Sequence, residues 1–175
     1  DTPARNAYVL DLSTDTVLLS KQSDLPMPPA SMSKLMTVYM VFERLKKGSL
    51  NLDDTFLVSE KAWKKGGSKM FVKVGDRIKV ADLLRGIIVQ SGNDACIVVA
   101  EGIGGTEEAF AEMMTRRAAE LGLKNSRFAN STGWPDPKHR MSARDLAELS
   151  RLLIEKFPDL YKIFNEKTFT FSKIK

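Results

Sequence analysis

The sequence has one cysteine and one histidine among its 175 residues, and these two scarcities exclude several kinds of site. A single cysteine cannot form a disulfide within the chain, and no zinc site can be built from paired cysteine or histidine ligands. A Ser–His–Asp hydrolase would have to use His139, which lies in a proline-rich stretch predicted to be a stiff surface loop. Cys96 lies in the apolar run 95–100 and is predicted to be a small core residue. We therefore expect neither a metal site nor a cofactor.

Long apolar runs are also missing. No run reaches the roughly 18 residues that a membrane-spanning helix needs. Residues 1–5 do not combine a basic start with an apolar stretch, so no signal peptide is expected within this sequence. An exported protein whose signal had been removed would look the same, and localisation has to be argued from chemistry.

Positive charge is in moderate excess. Lysine and arginine total 27 against 22 acidic residues, a net charge of +5, which favours an anionic partner or surface. The densest basic cluster is interleaved with Trp63 and Phe71 and consists of Lys61, Lys64, Lys65, Lys69 and Lys73. Such a cluster can form a groove for single-stranded nucleic acid, but it is also typical of a solvated face, and we predict no nucleic-acid partner.

The pattern along the chain predicts one domain over residues 1–175 with three parts. Residues 1–30 are predicted to form a β-hairpin and a loop, residues 31–165 a mainly helical part, and residues 166–175 the start of a strand. The predicted helices run from about Ser31 to Lys47 with Gly48 as the end, over 80–89, over 94–101, from a cap at Thr106 to Gly122, and from a capping box at 142–145 to residue 157. Because a lone two-stranded hairpin is marginal, we expect another segment or a second chain to complete the sheet.

Ser31 and Lys34 match the pattern S-x-x-K in the first turn of the first predicted helix. Residues three apart share a helix face, so the amine of Lys34 can reach the hydroxyl of Ser31. This geometry supplies a nucleophile with a base, whereas the alternative is a capping serine followed by a solvated lysine. Ser172 and Lys175 repeat the pattern in a strand-like run, where residues three apart point to opposite faces.

Ser91 and Asn93 match a second pattern, S-x-N, in a polar knuckle between two apolar runs. Polar groups placed between core segments must find partners or serve a purpose. An ordinary turn in which Asn93 caps the next helix is the alternative. Ser49 and Asn51 also match, but they follow the far end of the first helix, roughly 25 Å from Ser31.

The combination S-x-x-K, S-D-N and K-T-G is the signature of class A β-lactamases and penicillin-binding proteins. With the first two elements present in that order, the chain resembles the low-molecular-mass penicillin-binding proteins, which are serine-type D-Ala-D-Ala carboxypeptidases. The resemblance covers residues 5–175. It extends to the segments 29–37, 67–72, 90–95, 121–125 and 142–147.

The resemblance implies a β-lactamase/transpeptidase-like α/β fold, an α+β sandwich in which N-terminal strands adjoin a helical subdomain. No K-T-G element, or a variant of it, occurs in the sequence. In the family this element lies on a later strand and supplies a carboxylate-binding cation and an oxyanion-hole amide. We therefore expect the C-terminal sheet strands to be missing from this chain, and residues 1–175 alone to be inactive.

The resemblance also implies a function and a role for each site residue. Ser31 would attack the penultimate D-Ala carbonyl of a peptidoglycan stem peptide, and Lys34 would accept its proton. Ser91 would relay a proton to the departing D-Ala, while Asn93 would bind the substrate amide and help to hold Lys34. Penicillins and other β-lactams would acylate the same Ser31 as inhibitors.

A peptidoglycan substrate implies a bacterial protein exported to the periplasm or the outer face of the cytoplasmic membrane, with peripheral membrane association through a segment absent here. One alternative is a serine β-lactamase of the same fold, although no Glu-x-x-Leu-Asn stretch is present to drive deacylation. Another is a basic binding module without catalysis, whose salt-sensitive binding would survive replacement of Ser31.

Overall fold

Two apolar runs joined by turn-forming residues build the hairpin at the start of the chain, as the sequence predicts. The computed structural model describes residues 1–171, in which β1 (Ala7–Asp11) pairs antiparallel with β2 (Thr16–Lys21). The carboxylate of Asp11 accepts hydrogen bonds from the backbone N–H and the hydroxyl of Ser13, which shapes the turn. Within residues 1–171 this sheet has two strands.

The first helix begins one turn later than the sequence predicts. Residues Ala30–Ser33 form a 3-10 turn, and α1 follows over Lys34–Lys47. No side chain caps α1, because the hydroxyl of Ser33 donates to the carbonyl of Ala30 instead, so the alternative interpretation of a capping serine is wrong. The end is as predicted: Gly48 has a φ of +77°, a left-handed conformation that glycine adopts without strain.

The core is built around a helix whose residues 95–100 are all apolar and fully buried. α4 (Asn93–Gly104) is buried throughout its first eight residues and packs against α1, against α3 (Val80–Gln90) and against α5 (Glu107–Glu120). It is longer than the helix predicted over 94–101. Thr106 caps α5 as predicted, since its side chain accepts a hydrogen bond from the N–H of Ala109.

A second small sheet, which the sequence analysis did not predict, interrupts the helical part. β3 (Thr55–Leu57) pairs antiparallel with β4 (Arg77–Lys79), and the short α2 (Glu60–Lys64) lies between them. Strands of three residues are too short to show a readable alternation of polar and apolar side chains.

The last long helix carries half of its predicted capping box. α6 spans Ala143–Lys156, and the hydroxyl of Ser142 accepts a hydrogen bond from the N–H of Asp145. The carboxylate of Asp145 does not return to Ser142 but accepts hydrogen bonds from the Asn125 N–H and the Ser126 hydroxyl, both at 2.8 Å. Asp145 therefore ties α6 to the loop before it.

Beyond α6 the chain forms α7 (Pro158–Tyr161) and a 3-10 turn over Lys162–Asn165. The strand predicted over 166–175 is not formed in the described part of that range, residues 166–171, because no neighbouring strand pairs with it. Residues 172–175 lie outside the described residues, and their strand stays a prediction. Among the helices described, none is long and apolar enough to cross a bilayer.

Candidate active site

The structure brings Ser31 and Lys34 together as the S-x-x-K spacing predicts. Ser31 lies exposed in the 3-10 turn, and Lys34 is the first residue of α1. The distance from Lys34 Nζ to Ser31 Oγ is 3.3 Å, which is within reach of a hydrogen bond. An exposed serine therefore faces a lysine residue that is only 6% exposed. A proton can pass directly between the two atoms.

Burial sets the protonation behaviour of Lys34. Loss of solvent disfavours the ammonium form and lowers the pKa of Lys34. Burial also raises the pKa of the Cys96 thiol to about 12, so the thiol is neutral at pH 7. Cys96 is fully buried, which confirms its prediction as a core residue. The free amine of Lys34 is thus favoured at lower pH than in an ordinary lysine.

Ser91 lies in the same part of the structure as Ser31 and Lys34. A cavity of about 270 Å³ is lined by Ser31, Lys34 and Ser91 together, with an apolar wall formed by Met32, Leu35, Val38, Ile87, Ile88 and Phe164. The structure therefore gathers the three predicted catalytic residues, although 60 positions separate Ser91 from Ser31 in the sequence.

Two of the positions that form this site have unusual backbone conformations. Ser91, at the end of α3, has a φ of +53°, and Ala30, next to Ser31, has a φ of +52°. Non-glycine residues rarely adopt positive φ, and each instance costs about 1–3 kcal/mol. Such strain persists only where surrounding contacts hold the backbone in place. These two positions are therefore held by their neighbours rather than by local preference.

Asn93 has a different partner from the one predicted. Its amide donates a hydrogen bond to the carbonyl of Gly66 at 3.0 Å, and no hydrogen bond joins it to Lys34 among the described residues. The expectation that Asn93 helps to hold Lys34 is therefore wrong. Asn93 is the first residue of α4, so its side chain points back toward the Gly66 loop rather than toward α1. Its role toward a substrate stays a prediction.

Asp94 organises the segment beside Asn93, which the sequence analysis did not anticipate. Its carboxylate is 1% exposed and accepts hydrogen bonds from three backbone N–H groups, those of Met70, Val72 and Ala95, at 2.9–3.1 Å. Three N–H donors compensate the cost of burying a carboxylate. Asp94 thereby fixes residues 70–72 against the start of α4. An acidic residue in the first turn of a helix has no sequence signal for such distant partners.

We expect Asp94→Asn to lower the free energy of unfolding by about 1–3 kcal/mol. The new amide NH₂ faces a backbone N–H, so one buried donor loses its acceptor. Urea unfolding measures the loss, and hydrogen exchange should quicken at Met70 and Val72. Glu112→Gln makes the same acid-to-amide change at an exposed position and serves as the control. Equal stability of the two variants would contradict the role of Asp94.

His139 is buried, so the prediction of an exposed loop residue is wrong. Its side chain is 2% exposed; Nδ1 accepts a hydrogen bond from the N–H of Ala129 at 3.1 Å, and Nε2 lies 2.8 Å from Ser33 Oγ. Burial lowers the pKa of His139; the nearby charge of Asp136 opposes this effect, and that of Arg140 adds to it. The lowered pKa favours the neutral imidazole, which lies behind the 3-10 turn that carries Ser31.

Part of the basic cluster is neutralised by acidic neighbours. Lys61 pairs with Glu107 and Glu108 at 3.2 and 3.0 Å, and Lys64 pairs with Glu60. This pairing weakens the case for a basic groove that binds an anionic partner at that face. Within residues 1–171, no three acidic, histidine or cysteine side chains come close enough together to hold a metal ion.

Comparison with known proteins links this geometry to one family. A family model described as D-alanyl-D-alanine carboxypeptidase matches residues 1–175. The D-alanyl-D-alanine carboxypeptidase DacC of Escherichia coli is 40% identical to the chain, and the alignment covers 98% of the chain and 44% of the relative. The structure of penicillin binding protein 5 from Haemophilus influenzae matches with a TM-score of 0.93 and 39% identity, over 98% of this chain and 51% of that one.

A third match is the structure of the D-alanyl-D-alanine carboxypeptidase DacD from Francisella tularensis. Its TM-score is 0.92 at 39% identity, and the match covers 95% of this chain and 40% of that chain. These matches confirm the transpeptidase-like α/β fold that the motifs predict. The chain spans less than half of the length of the curated relative from Escherichia coli.

Proposed function

The chain belongs to the D-alanyl-D-alanine carboxypeptidase family, and from this premise we propose that the whole protein removes the terminal D-Ala from peptidoglycan stem peptides through an acyl-Ser31 intermediate. One observation carries the proposal: the exposed Ser31 hydroxyl lies 3.3 Å from the buried Lys34 amine, in a cavity that Ser91 also lines. The spacing of nucleophile and base is that of an activated serine.

In the proposed first step, Ser31 Oγ attacks the carbonyl carbon of the penultimate D-Ala while neutral Lys34 Nζ takes the hydroxyl proton. The amide bond then breaks, and the terminal D-Ala leaves as a free amine after it receives a proton. Ser91 relays that proton from Lys34 in this proposal, which is supported by the cavity that both residues line. Water then attacks the ester carbonyl, which releases the shortened peptide and restores the Ser31 hydroxyl.

Asn93 is proposed to bind the backbone amide of the stem peptide. Its side-chain nitrogen is engaged by the carbonyl of Gly66, which leaves the amide oxygen as an acceptor for a substrate N–H. A β-lactam ring presents a strained amide to the same Ser31, and ring opening would leave a penicilloyl ester. A peptidoglycan substrate places the proposed reaction outside the cytoplasmic membrane of a bacterium.

We expect a penicillin to add its full mass to the whole protein, and peptide mapping to find the adduct on Ser31. The intact mass before and after incubation measures the first point, and the decay of the adduct with time measures the second step. A carboxypeptidase of this kind should release the penicilloyl group slowly. The natural substrate test is the release of D-Ala from a peptide that ends in D-Ala-D-Ala.

Three results would contradict the proposal. An adduct on a residue other than Ser31 would remove the assigned nucleophile. Rapid turnover of the penicillin without D-Ala release would favour the β-lactamase alternative, in spite of the missing Glu-x-x-Leu-Asn stretch. Binding to an anionic polymer that persists in Ser31→Ala and falls with salt would favour a binding module instead.

A further inference from the structure

We propose that His139 is a positioning residue that holds, through Ser33, the strained backbone from which Ser31 is presented for acylation. The inference rests on the proposed function of Ser31. It starts from the conformation of Ala30, whose φ of +52° must be maintained by contacts from outside the 3-10 turn.

A continuous chain of hydrogen bonds reaches the carbonyl of Ala30. The N–H of Ala129 donates to His139 Nδ1 at 3.1 Å, which places the single proton of the neutral ring on Nε2. Nε2–H then donates to Ser33 Oγ at 2.8 Å, and the Ser33 hydroxyl donates to the Ala30 carbonyl at 3.0 Å. In this series of hydrogen bonds each donor meets an acceptor, and no group could exchange its role. The series therefore fixes the tautomer of the ring and the conformation of the turn together.

The loop that carries His139, residues 129–139, contacts the turn and the start of α1 at two further points. Gly133, with a φ of +85°, approaches Ala30 so closely that a Cβ added there would lie 1.9 Å from the Ala30 oxygen. The hydroxyl of Thr37, one turn into α1, donates to the carbonyl of Ser131 at 2.8 Å. Residues 129–139 therefore hold the segment from Ala30 to Thr37 at its start, its middle and its first helical turn.

The loop is itself anchored to α5. The carboxylate of Glu107, 7% exposed, accepts a 2.6 Å hydrogen bond from the hydroxyl of Ser131. The Asn130 side chain accepts the N–H of Gly133 at 2.8 Å and donates to the Trp134 carbonyl. Because the loop is anchored to α5, its contact with Ser33 can restrict the motion of the turn and hold the Ser31 hydroxyl in one place.

Two substitutions of His139 separate the roles of its two ring nitrogens. Asparagine can accept from Ala129 in place of Nδ1 but is too short to reach Ser33. Glutamine is long enough for its amide nitrogen to donate to Ser33 in place of Nε2. We expect His139→Asn to lower the rate constant for Ser31 acylation by a fluorescent penicillin by roughly 10- to 100-fold, with little change in the affinity of the preceding complex. His139→Gln should recover most of that loss.

Controls define what the loss means. Lys138→Ala alters an exposed neighbour and should acylate at the wild-type rate. Ser33→Ala breaks the same link from the other side, so the double variant with His139→Asn should lose no more than either single variant. If His139→Asn does not fold, Ser33→Ala still tests the link, because it removes one oxygen atom without changing the ring.

The outcomes are distinguishable. If the wild-type protein is not acylated at Ser31, the proposed function and this inference both fail. If the wild type is acylated and His139→Asn acylates equally fast while melting at a lower temperature, His139 is structural only and the inference alone is overturned. A selective loss of the acylation rate constant that His139→Gln restores supports the positioning role.

Discussion

Replacing Ser31 with alanine is expected to lower D-Ala release by the whole protein by about 10⁶-fold and to abolish labelling by penicillin. Removing the hydroxyl leaves no atom to form the ester, and water has to attack the peptide directly. The loss should appear in kcat rather than in KM, because an exposed hydroxyl on a surface turn contributes little to ground-state binding. D-Ala release and labelling by a fluorescent penicillin measure the two effects.

The fold should be unaffected by this change. Ser31 is exposed, and the only described hydrogen bond of its side chain is to Lys34, so we expect the unfolding temperature to stay within about 1 °C of the wild-type value. Ser49→Ala is the matched control, since it removes a serine hydroxyl from the second S-x-N match, outside the cavity. Residual labelling of Ser31→Ala above the background of heat-denatured protein would place the nucleophile elsewhere.

The pairing of Ser31 with Lys34 could be predicted from sequence because it is local. Residues three apart on a helical turn face the same way, and that rule holds in a 3-10 turn as well as in an α-helix. The exact start of α1 could not be predicted, since Ser33 was free to cap the helix or to bond back to Ala30. That choice depends on His139, which is 106 residues away in the chain.

Convergence of Ser91 on the same cavity is not a local property. It requires the packing of α1 against α3 and α4, and in the sequence only the resemblance to a family predicted it. The hairpin and the long helices were readable because their apolar periodicity extends over many residues. β3 and β4 were not, since three-residue strands form only when the rest of the fold brings them together.

His139 and Asp94 show most clearly which features of the site the sequence could not predict. Flanking prolines and charged residues predict a surface loop around His139, yet the loop folds inward because Ser33 and Thr37 supply buried hydrogen-bond partners for it. The sequence places Asp94 at the start of a helix, but its carboxylate oxygens accept hydrogen bonds from backbone N–H groups more than 20 positions earlier. Buried polar side chains find partners that tertiary structure alone supplies.

Replacing Lys34 with methionine is expected to slow acylation of Ser31 by about 10²–10⁴-fold, which is the usual contribution of a general base. Methionine fills a similar volume in the buried site but cannot accept a proton. Lys34→Arg should be equally slow, because a guanidinium keeps its proton throughout the working pH range. Lys138→Met, an exposed lysine, provides the control.

The pH dependence of acylation follows from the burial of Lys34. Burial lowers the pKa of its amine below the ordinary value of 10.5, so the acylation rate should rise with pH and level off at a pH below 10.5. The rising limb should disappear in Lys34→Met. A limb that survives in the variant would belong to another group, and rapid acylation by Lys34→Arg would mean that the residue contributes charge rather than a proton acceptor.

Replacing Lys34 with methionine should move stability in the opposite direction from activity. Below the folded pKa of Lys34 both states hold the proton, and the folded protein bears the whole cost of a buried ammonium. That cost declines as pH rises from the lowered pKa toward 10.5, because the unfolded chain then binds more protons than the folded one. Lys34→Met removes the cost, so its free energy of unfolding at pH 7 should equal or exceed that of the wild type. A variant that is inactive and also less stable would mean that the lysine holds the turn together, and the role of proton acceptor would lose its main support.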